Sequence, residues 1–171
     1  TELDNKNILD LKKKFENEPK VKIIKKNIYN INEKFDTIMY LHVLEHIEKD
    51  EEEIKEATSK LNENGLLIIM VPAHQKIYSN LDKAVGHFRR YEIDFFKRDF
   101  KNLELSNVQF LDSMGYFLYY LNKFFFKKEI YPSKLKIFIW DKLFTPISVV
   151  ADFILRYKFG KCILATYKKV N

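Results

Sequence analysis

Cysteine, glycine and proline are all scarce in this chain of 171 residues. The single cysteine, Cys162, excludes an intrachain disulfide and a zinc cluster built from cysteines, and it favours a reducing, cytoplasmic compartment. Only four glycines and four prolines are present, so the chain is poor in the residues that form tight turns. The composition therefore favours long helices over a fold built from many hairpins.

Long apolar runs are missing as well. The most apolar region, Leu135–Leu155, is interrupted by charged residues, which makes it a poor transmembrane span. The net charge of +6 suits an anionic partner, but the lysines are scattered among Glu and Asn, and no nucleic-acid-binding motif accompanies them. The sequence therefore predicts no nucleic-acid partner.

The apolar residues that are present suffice for one packed core. Hydrophobic residues make up 46% of the chain and charged residues 32%, with 15 Phe and 10 Tyr, so disorder is not expected. The sequence shows no internal repeat, no low-complexity linker and no domain boundary. It therefore predicts a single domain over residues 1–171, a length that suits one domain.

Apolar patterning predicts strands that alternate with helices, as in an α/β fold with a parallel sheet. The first helix begins at Asn5 and ends before Pro19, because proline pushes the preceding residue out of the α region. A long aromatic, mostly helical insertion, about Gly115–Tyr157, precedes the last strand and is expected to break at Pro132 and Pro146. The predicted strands are the end of one at Thr1–Asp4, then Val21–Ile24, Phe35–Tyr40, Leu66–Val71, Val108–Leu111 and Cys162–Ala165, with further helices at Asp50–Leu61 and Ile93–Phe100.

Two signals mark the ends of the second helix. Asp50 lies at its start with Glu53 three residues later, a spacing that predicts a capping box. Asn64 and Gly65 lie at its end, where Gly65 is expected to adopt a left-handed conformation. Ile54, Ala57 and Leu61 are expected to form the buried stripe of this helix.

The stretch Phe35–His46 combines a strand pattern with a polar cluster. An apolar run is followed within a few residues by His42, Glu45 and His46. Open α/β sheets bind their ligands at the carboxyl ends of strands, so this position predicts a functional site. The alternative is a helix start that carries histidines for structural reasons, and Glu45 would then serve only as a charge near a helix N-terminus.

Five short segments carry a resemblance that extends over nearly the whole chain. They are Thr1–Asp4, Asn27–Ile28, Phe35–Asp36 with Val43–Ile47, Asn64–Gly65 with Val71–His74, and Gly86–Tyr91. Together they resemble the class I S-adenosylmethionine-dependent methyltransferases, and the order VLEHI, VPAH and GHFRRY resembles a branch often found beside membrane-linked glycosyltransferases. The resemblance implies a Rossmann-like methyltransferase sheet with flanking helices, S-adenosylmethionine as cofactor, and a small-molecule or lipid-linked substrate.

The resemblance also implies which positions hold the cofactor. A carboxylate at the end of the second strand would bind the ribose hydroxyls, and an amide oxygen would accept a hydrogen bond from the adenine amino group, where the family usually has aspartate. The histidine beside the methionine part stands where the family more often has asparagine. The positions are Glu2 with Leu3 for the ribose, Asn27 and Ile28 for the adenine, and Leu41 and His42 for the methionine part. For Asn27 the alternative is an ordinary turn asparagine.

Methyl transfer from a sulfonium needs alignment of the two reactants, exclusion of water and, for a hydroxyl acceptor, a base. His46, His87 and Tyr91 are the candidate bases, and a carboxylate acceptor would need none. No metal is required, and the spacing along the sequence predicts no metal site.

The segment Gly86–Tyr91 adds two adjacent arginines. Arg89 and Arg90, with His74 from the preceding loop, suit recognition of a phosphate or carboxylate, because arginine binds both through two parallel hydrogen bonds. The alternative is a structural clamp in which an arginine pairs with a nearby acid such as Asp82 or Glu92.

A glycine-rich loop after the first strand is expected in a methyltransferase of this kind, but the four glycines form no G-x-G cluster. We therefore expect that strand and its loop to precede Thr1; the alternative is that Val21–Ile24 or another segment shifts to fill the gap. In either case the 171 residues alone are expected to be inactive and not to bind S-adenosylmethionine tightly. Rival predictions are a methyltransferase-fold scaffold without activity and a peripheral membrane component. For the aromatic insertion, a lid that packs on the sheet is favoured over an interfacial helix. Its residues at helical spacing are Phe117, Leu121, Phe124 and Phe125, with Lys123, Lys127 and Lys128 close by.

Overall fold

The computed structural model describes residues 1–125 and 134–171, and the side chains of all of these except 120–125 and 134–136. Among the described residues, four strands form one sheet in the order β1-β2-β4-β3. Among these strands only β1 and β2 pair in parallel, because β4 lies between β2 and β3 and runs antiparallel to both. The strands are β1 Phe35–Leu41, β2 Leu61–Pro72, β3 Leu103–Leu111 and β4 Cys162–Lys169.

Helices flank this sheet and fill most of the chain between β3 and β4, as predicted for an α/β fold with a helical insertion before the last strand. Pro132 lies outside the described residues. Pro146 does not break the insertion, because it lies in the first turn of its helix, where a backbone N–H would have no partner within that helix. The helices are α1 Asn5–Lys14, α2 Asp50–Ser59, α3 Asn80–Ala84, α4 Ile93–Phe96, α5 Ser113–Phe125, α6 Lys134–Ile139 and α7 Thr145–Ile154, with a π-helical turn Trp140–Phe144 and 3₁₀ turns Ile28–Asn30, Leu44–His46 and Gln75–Ile77.

The N-terminal segments differ from the prediction. Thr1–Asp4 and Val21–Ile24 are not strands, since a strand needs a ladder of hydrogen bonds and a single bond, from Glu2 N to Ile24 O at 3.1 Å, joins them. Asp4 instead caps α1, where its side chain accepts from the backbone N–H groups of Lys6 and Asn7. The helix then ends at Lys14, five residues before Pro19.

The predicted capping box at α2 is wrong, because both carboxylates bind tyrosines from elsewhere in the fold. Asp50 accepts the hydroxyl of Tyr91 at 2.8 Å, and Glu53 accepts that of Tyr40 at 2.9 Å. The N-cap residue is Lys49, which makes no side-chain capping bond. Buried tertiary partners have therefore displaced the local pattern.

The end of α2 also differs. The helix ends at Ser59 and Leu61 already belongs to β2. Asn64, and not Gly65, has the left-handed conformation, with φ 62°. Gly65 is needed for space instead, since a Cβ there would lie 2.9 Å from the carbonyl oxygen of Asn62.

Hydrogen bonds join the last helix of the insertion, α7, to the start of its first helix, α5. Asp152 on α7 is buried, and its carboxylate accepts the backbone N–H groups of Asp112 and Ser113 at 2.8 Å each. Ser148, one turn earlier, donates to the Asp112 carboxylate and accepts from Met114 N. These bonds satisfy donors at the start of α5 that no helix can satisfy by itself.

The core lies between the sheet and the helices that follow β1 and β2. Leu67, Ile69 and Val71 of β2 are fully buried, as expected for an internal strand. Tyr167 of β4 donates its hydroxyl to Phe96 O at 2.7 Å, which joins the sheet to α4. This packing fixes the carboxyl ends of β1 and β2, from which the loops described next emerge.

Candidate functional site

The chain turns sharply where β1 ends. His42 donates its backbone N–H to Met70 O of β2 and has a left-handed φ of 55°. The 3₁₀ turn Leu44–His46 follows, and it buries Leu44 and Glu45 while His46 stays exposed. The predicted polar cluster is therefore placed at the carboxyl end of a parallel strand, with its carboxylate facing inwards.

Glu45 is the most unusual group at this position. Its side chain is 0% exposed, and its Oε1 lies 3.3 Å from His42 Nδ1 and 3.9 Å from His87 Nε2. Its Oε2 has no hydrogen-bond partner among the residues that the structure describes. Burying a carboxylate is costly unless it is paired, so a hydrogen-bond donor or a cation is expected at Oε2 of Glu45.

His87 is held by a buried carboxylate that sequence reasoning considered only as an arginine partner. Its Nδ1 lies 2.9 Å from Oδ1 of Asp82, which is 1% exposed. Burial by itself would raise the pKa of Asp82, but hydrogen bonds from Ser79 and Arg90 outweigh it and hold that pKa below its usual value. The ionised Asp82 therefore orients the imidazole so that Nε2 faces Glu45.

A sequence signal for Asp82 existed. Ser79 and Asp82 form a reciprocal capping box at α3, and the spacing of three residues is the pattern for one. The pattern fixes the carboxylate locally, but it does not by itself predict contact with a histidine five residues later.

His46 completes the cluster from the exposed side. Its Nδ1 lies 3.3 Å from Gly86 O, and its ring meets that of His87 edge to face with centroids 4.7 Å apart. Gly86 has φ +84°, a conformation that favours glycine and brings this carbonyl to the histidine. Glu45, His46 and His87 each offer one ligand atom, all within 4.8 Å of one another. We call these three residues the histidine cluster.

The two arginines are engaged within the protein. Arg90 is 8% exposed, and it donates to the Asp82 carboxylate at 2.9 Å and to Ala73 O at 3.3 Å. Arg89 pairs with Asp50 at 2.6 Å and donates to Glu48 O. These contacts favour the structural clamp, including the pairing of an arginine with Asp82.

Tyr91 and His74 lie in different surroundings from the cluster histidines. The hydroxyl of Tyr91 is buried and donates to Asp50, and burial followed by this bond raises its pKa. His74 is stacked on Phe110, and its Nε2 lies 3.0 Å from Gly160 O, on the β3–β4 side of the sheet. The structure thus brings together His46 and His87, and gives Tyr91 and His74 separate partners.

The predicted ribose ligand Glu2 is occupied by its own loop. Its carboxylate accepts the backbone N–H groups of Leu3 at 2.6 Å and Asp4 at 2.9 Å. These bonds, that of Asp4 first, lower the pKa of Glu2. Leu3 is 60% exposed. The carboxylate is therefore ionised and fixed in place.

The remaining predicted cofactor residues have different local surroundings. Asn27 caps the first 3₁₀ turn by accepting from Asn30 N at 3.2 Å, the contact expected of a turn asparagine. Ile28 packs partly against the core, whereas Leu41 is 48% exposed at the end of β1. Contacts with the Cys162 side chain and then with Glu45 raise the pKa of His42 to about 10.

No protein-family model and no curated protein sequence matches the chain. Several solved structures, however, are similar to it. A coclaurine N-methyltransferase bound to N-methylheliamine and SAH aligns with a TM-score of 0.61 and 14% identity, over 98% of this chain and 58% of that one. A putative methyltransferase from Bacillus halodurans aligns with a TM-score of 0.60 and 16% identity, over 99% and 81%. The [4+2]-cyclase SpnF aligns with a TM-score of 0.54 and 14% identity, over 94% and 60%.

These similarities confirm the predicted Rossmann-like methyltransferase fold. The chain spans less than two thirds of the coclaurine N-methyltransferase and of the cyclase. At such identities the likeness concerns the fold alone, and a cyclase among the similar structures illustrates that one fold can serve different reactions.

Proposed function

We propose that this chain catalyses methyl transfer from S-adenosylmethionine to a small-molecule or lipid-linked acceptor. The observation that carries the proposal is the histidine cluster at the carboxyl end of β1, where open α/β sheets bind ligands. The similar structures support it, since two are called methyltransferases and one was solved with SAH.

The cofactor would lie against the six positions that the sequence predicts. Glu2 suits the ribose, because a carboxylate has about four lone-pair positions and the three donors from its own loop leave room for another. Asn27 likewise retains acceptor capacity after its bond to Asn30. Leu41 and His42 would approach the methionine part, with Leu3 and Ile28 beside the ribose and the adenine.

His87 is the best placed of the three candidate bases if the acceptor is a hydroxyl. Asp82 holds its Nδ1, which leaves Nε2 to take a proton, the arrangement of an oriented general base. His46 lies beside it, whereas the Tyr91 hydroxyl is buried and already donates to Asp50. The substrate-binding candidates are still Arg89, Arg90 and His74. Each would bind a substrate through N–H groups that its hydrogen bonds within the protein do not use.

Calorimetry with S-adenosylmethionine and SAH tests the proposal. Glu2→Ala should weaken cofactor binding by about 1.5–3 kcal/mol, the range for a hydrogen bond to a charged group. Glu16→Ala, which removes an exposed glutamate just after α1, is the matched control. Both variants are made in the protein that includes the expected first strand and glycine-rich loop. Failure of that protein to bind either compound would contradict the function, and unchanged affinity in Glu2→Ala would contradict only this residue's role. A screen of polyprenyl-linked sugars, small acids and quinone precursors then seeks the acceptor.

A second candidate function, docking on a membrane, is favoured by the surface of the helical insertion. Large apolar side chains there are exposed, and four of them recur at helical spacing on one side of α7. We call this surface the apolar face; its most exposed members are Phe138, Val149, Val150, Phe153, Ile154 and Phe159, at 58% to 72%. Of the lid-helix residues predicted on α5, Phe117 is 57% exposed, and the side chains of Leu121, Lys123, Phe124, Phe125, Lys127 and Lys128 lie outside the described set.

Charge favours an anionic lipid surface as the occupant. Between residues 137 and 161 the cations Lys142, Arg156, Lys158 and Lys161 compare with one exposed acid, Asp141, because Asp152 is buried. Apolar area bordered by cations is the composition of interfacial helices. Within the described ranges, no helix is both long and apolar enough to cross a bilayer. The proposed contact is therefore peripheral, and it would bring the site to a lipid-linked acceptor.

A further inference from the structure

The histidine cluster carries a buried negative charge that its protein neighbours satisfy only in part. Glu45 is fully buried, its Oε1 faces two imidazoles, and its Oε2 has no partner among the described residues. The arginines nearby in sequence pair with Asp50 and Asp82 instead. His42 already lies against Oε1, and a cation within reach of Oε2 would provide the missing interaction.

Both histidines are held in the way that metal-binding histidines are held. Asp82 accepts from Nδ1 of His87 at 2.9 Å, and Gly86 O lies 3.3 Å from Nδ1 of His46. A metal-binding imidazole almost always donates its second ring N–H to a carboxylate or a backbone carbonyl, which fixes the ring and its tautomer. This pattern leaves Nε2 of each ring as the free lone pair, and that of His87 already faces Glu45.

We propose that Glu45, His46 and His87 bind one divalent first-row transition-metal ion, with Zn²⁺ as the best fit. Two imidazoles and one carboxylate are a ligand set found in catalytic zinc sites, whereas Mg²⁺ prefers oxygen ligands and retains several waters. The proposal rests on side-chain geometry and does not depend on methyl transfer, but a bound ion would occupy Nε2 of His87 and would therefore exclude that residue as the general base. It also revises the expectation from sequence spacing, which predicted no metal site.

The distances require a small adjustment. Metal–ligand distances of about 2.0–2.2 Å put tetrahedral ligands roughly 3.4 Å apart, against the present limit of 4.8 Å. His46 is exposed and can turn inwards, since its contacts are the Gly86 carbonyl and the His87 ring. His42, 3.3 Å from Glu45 Oε1, would orient the carboxylate from outside the ligand shell. Three protein ligands leave a fourth position for water or substrate.

A metal-free network is the alternative for the same atoms. In it, Glu45 would share protons with His42 and His87, and the unpartnered Oε2 would bind water. The two arrangements differ in whether the affinity for a transition metal depends on His46, which forms no hydrogen bond with Glu45 among the described residues.

Titration of tag-free, metal-stripped protein with Zn²⁺ and Co²⁺ tests the proposal. We expect one ion per chain, visible Co²⁺ absorption with nitrogen and oxygen ligands, and weaker binding of Mg²⁺. His46→Gln and Glu45→Gln should each weaken Zn²⁺ binding at least 10-fold, and Asp82→Asn should do so through His87. His74→Gln is the matched control and should leave the affinity unchanged, because that ring contacts Phe110 and Gly160.

Circular dichroism verifies that each variant is folded. Because His46 is exposed, its variant keeps the test valid even if Glu45→Gln fails to fold. Absence of a stoichiometric Zn²⁺ site, or unchanged affinity in folded His46→Gln, would overturn the proposal.

Discussion

The histidine cluster and the apolar face use opposite kinds of interaction. In the cluster, Asp82, Glu45 and Gly86 fix each imidazole through directed contacts of 2.9–3.9 Å. On the apolar face, Phe153 and Ile154 are 72% and 71% exposed, and apolar contact has no preferred direction. The histidine cluster can select a ligand by its geometry. The apolar face can bind a surface only in proportion to the apolar area that the contact buries. The two proposals therefore assign chemistry and location to separate parts of one small fold.

The largest effect is expected where the directed contacts are buried. Asp82→Ala removes the partner of Arg90 and His87 and half of the α3 capping box. Breaking a buried ion pair leaves an uncompensated charge, so the free energy of unfolding should fall by about 3–5 kcal/mol. Urea denaturation measures the change.

The matched control is Asp94→Ala, which removes an exposed carboxylate paired with Lys97 at 2.9 Å. A surface pair contributes about 0–1 kcal/mol. A similar loss of unfolding free energy in both variants would mean that the buried Asp82 network stabilises the fold no more than a surface ion pair does. The contrast drawn between the two regions would then be wrong.

The apolar face should lose membrane binding without losing stability. Each fully buried Phe or Ile side chain contributes about 1.5–3 kcal/mol, so Phe153→Ser with Ile154→Ser should weaken partition into anionic vesicles by about 3 kcal/mol or more. Vesicle sedimentation at low salt measures the binding. Leu9→Ser on α1, where the side chain is 68% exposed, is the control and should bind like the unaltered protein. If the unaltered protein does not sediment with anionic vesicles, the membrane proposal is wrong.

Alkaline pH should destabilise the directed network. Burial, and for Tyr40 and Tyr91 the nearby carboxylates Glu53 and Asp50, raise the pKa of the buried tyrosines Tyr40, Tyr91 and Tyr167. Stability from a raised pKa is complete below the unfolded value, about 10, and is lost as pH rises from there towards the folded value. At pH 11 the loss should be about 1.4 kcal/mol per tyrosine.

Urea denaturation at pH 9 and pH 11 measures this dependence. Tyr91→Phe should reduce its slope, whereas Tyr29→Phe, at a side chain 47% exposed, should change it less. A slope that is equal in both variants would show that burial of Tyr91 does not control the titration.

The smallest effect is expected at Gly86. An alanine there would not clash, since its Cβ would lie in ordinary contact, 3.8 Å from His46 Nδ1, but φ +84° strains an L-residue. The cost should be about 1 kcal/mol of unfolding free energy. A stabilising Gly86→Ala would contradict the left-handed conformation. If the zinc affinity also falls, then the Gly86 carbonyl orients His46.

Patterns confined to one element could be predicted from the sequence. The runs Phe35–Tyr40 and Leu66–Val71 gave adjacent parallel strands because alternation and apolar runs reflect how a strand is buried. The site at the end of β1 followed from the order of elements. The capping box predicted from the spacing of Asp50 and Glu53 was wrong, because buried tyrosine hydroxyls outcompete a backbone N–H for each carboxylate.

Contacts between distant segments could not be predicted. His87 lies 3.9 Å from Glu45 across 42 residues of sequence because Asp82, held by Ser79 and Arg90, fixes the loop that carries it. Val21–Ile24 has a strand composition but no ladder partner, and composition does not specify a neighbour. The assignment of ligands and bases among the histidines remains a prediction until binding is measured.

Asp152 gives the helical insertion a mechanical role. Because its carboxylate ties α7 to the backbone at Asp112 and Ser113, directly after β3, the helix cannot pivot freely against the sheet. Any surface that holds α7 would then also fix the tilt of the whole domain. A search for an acceptor in three dimensions would become a search in a plane, with the site presented at one constant height and angle.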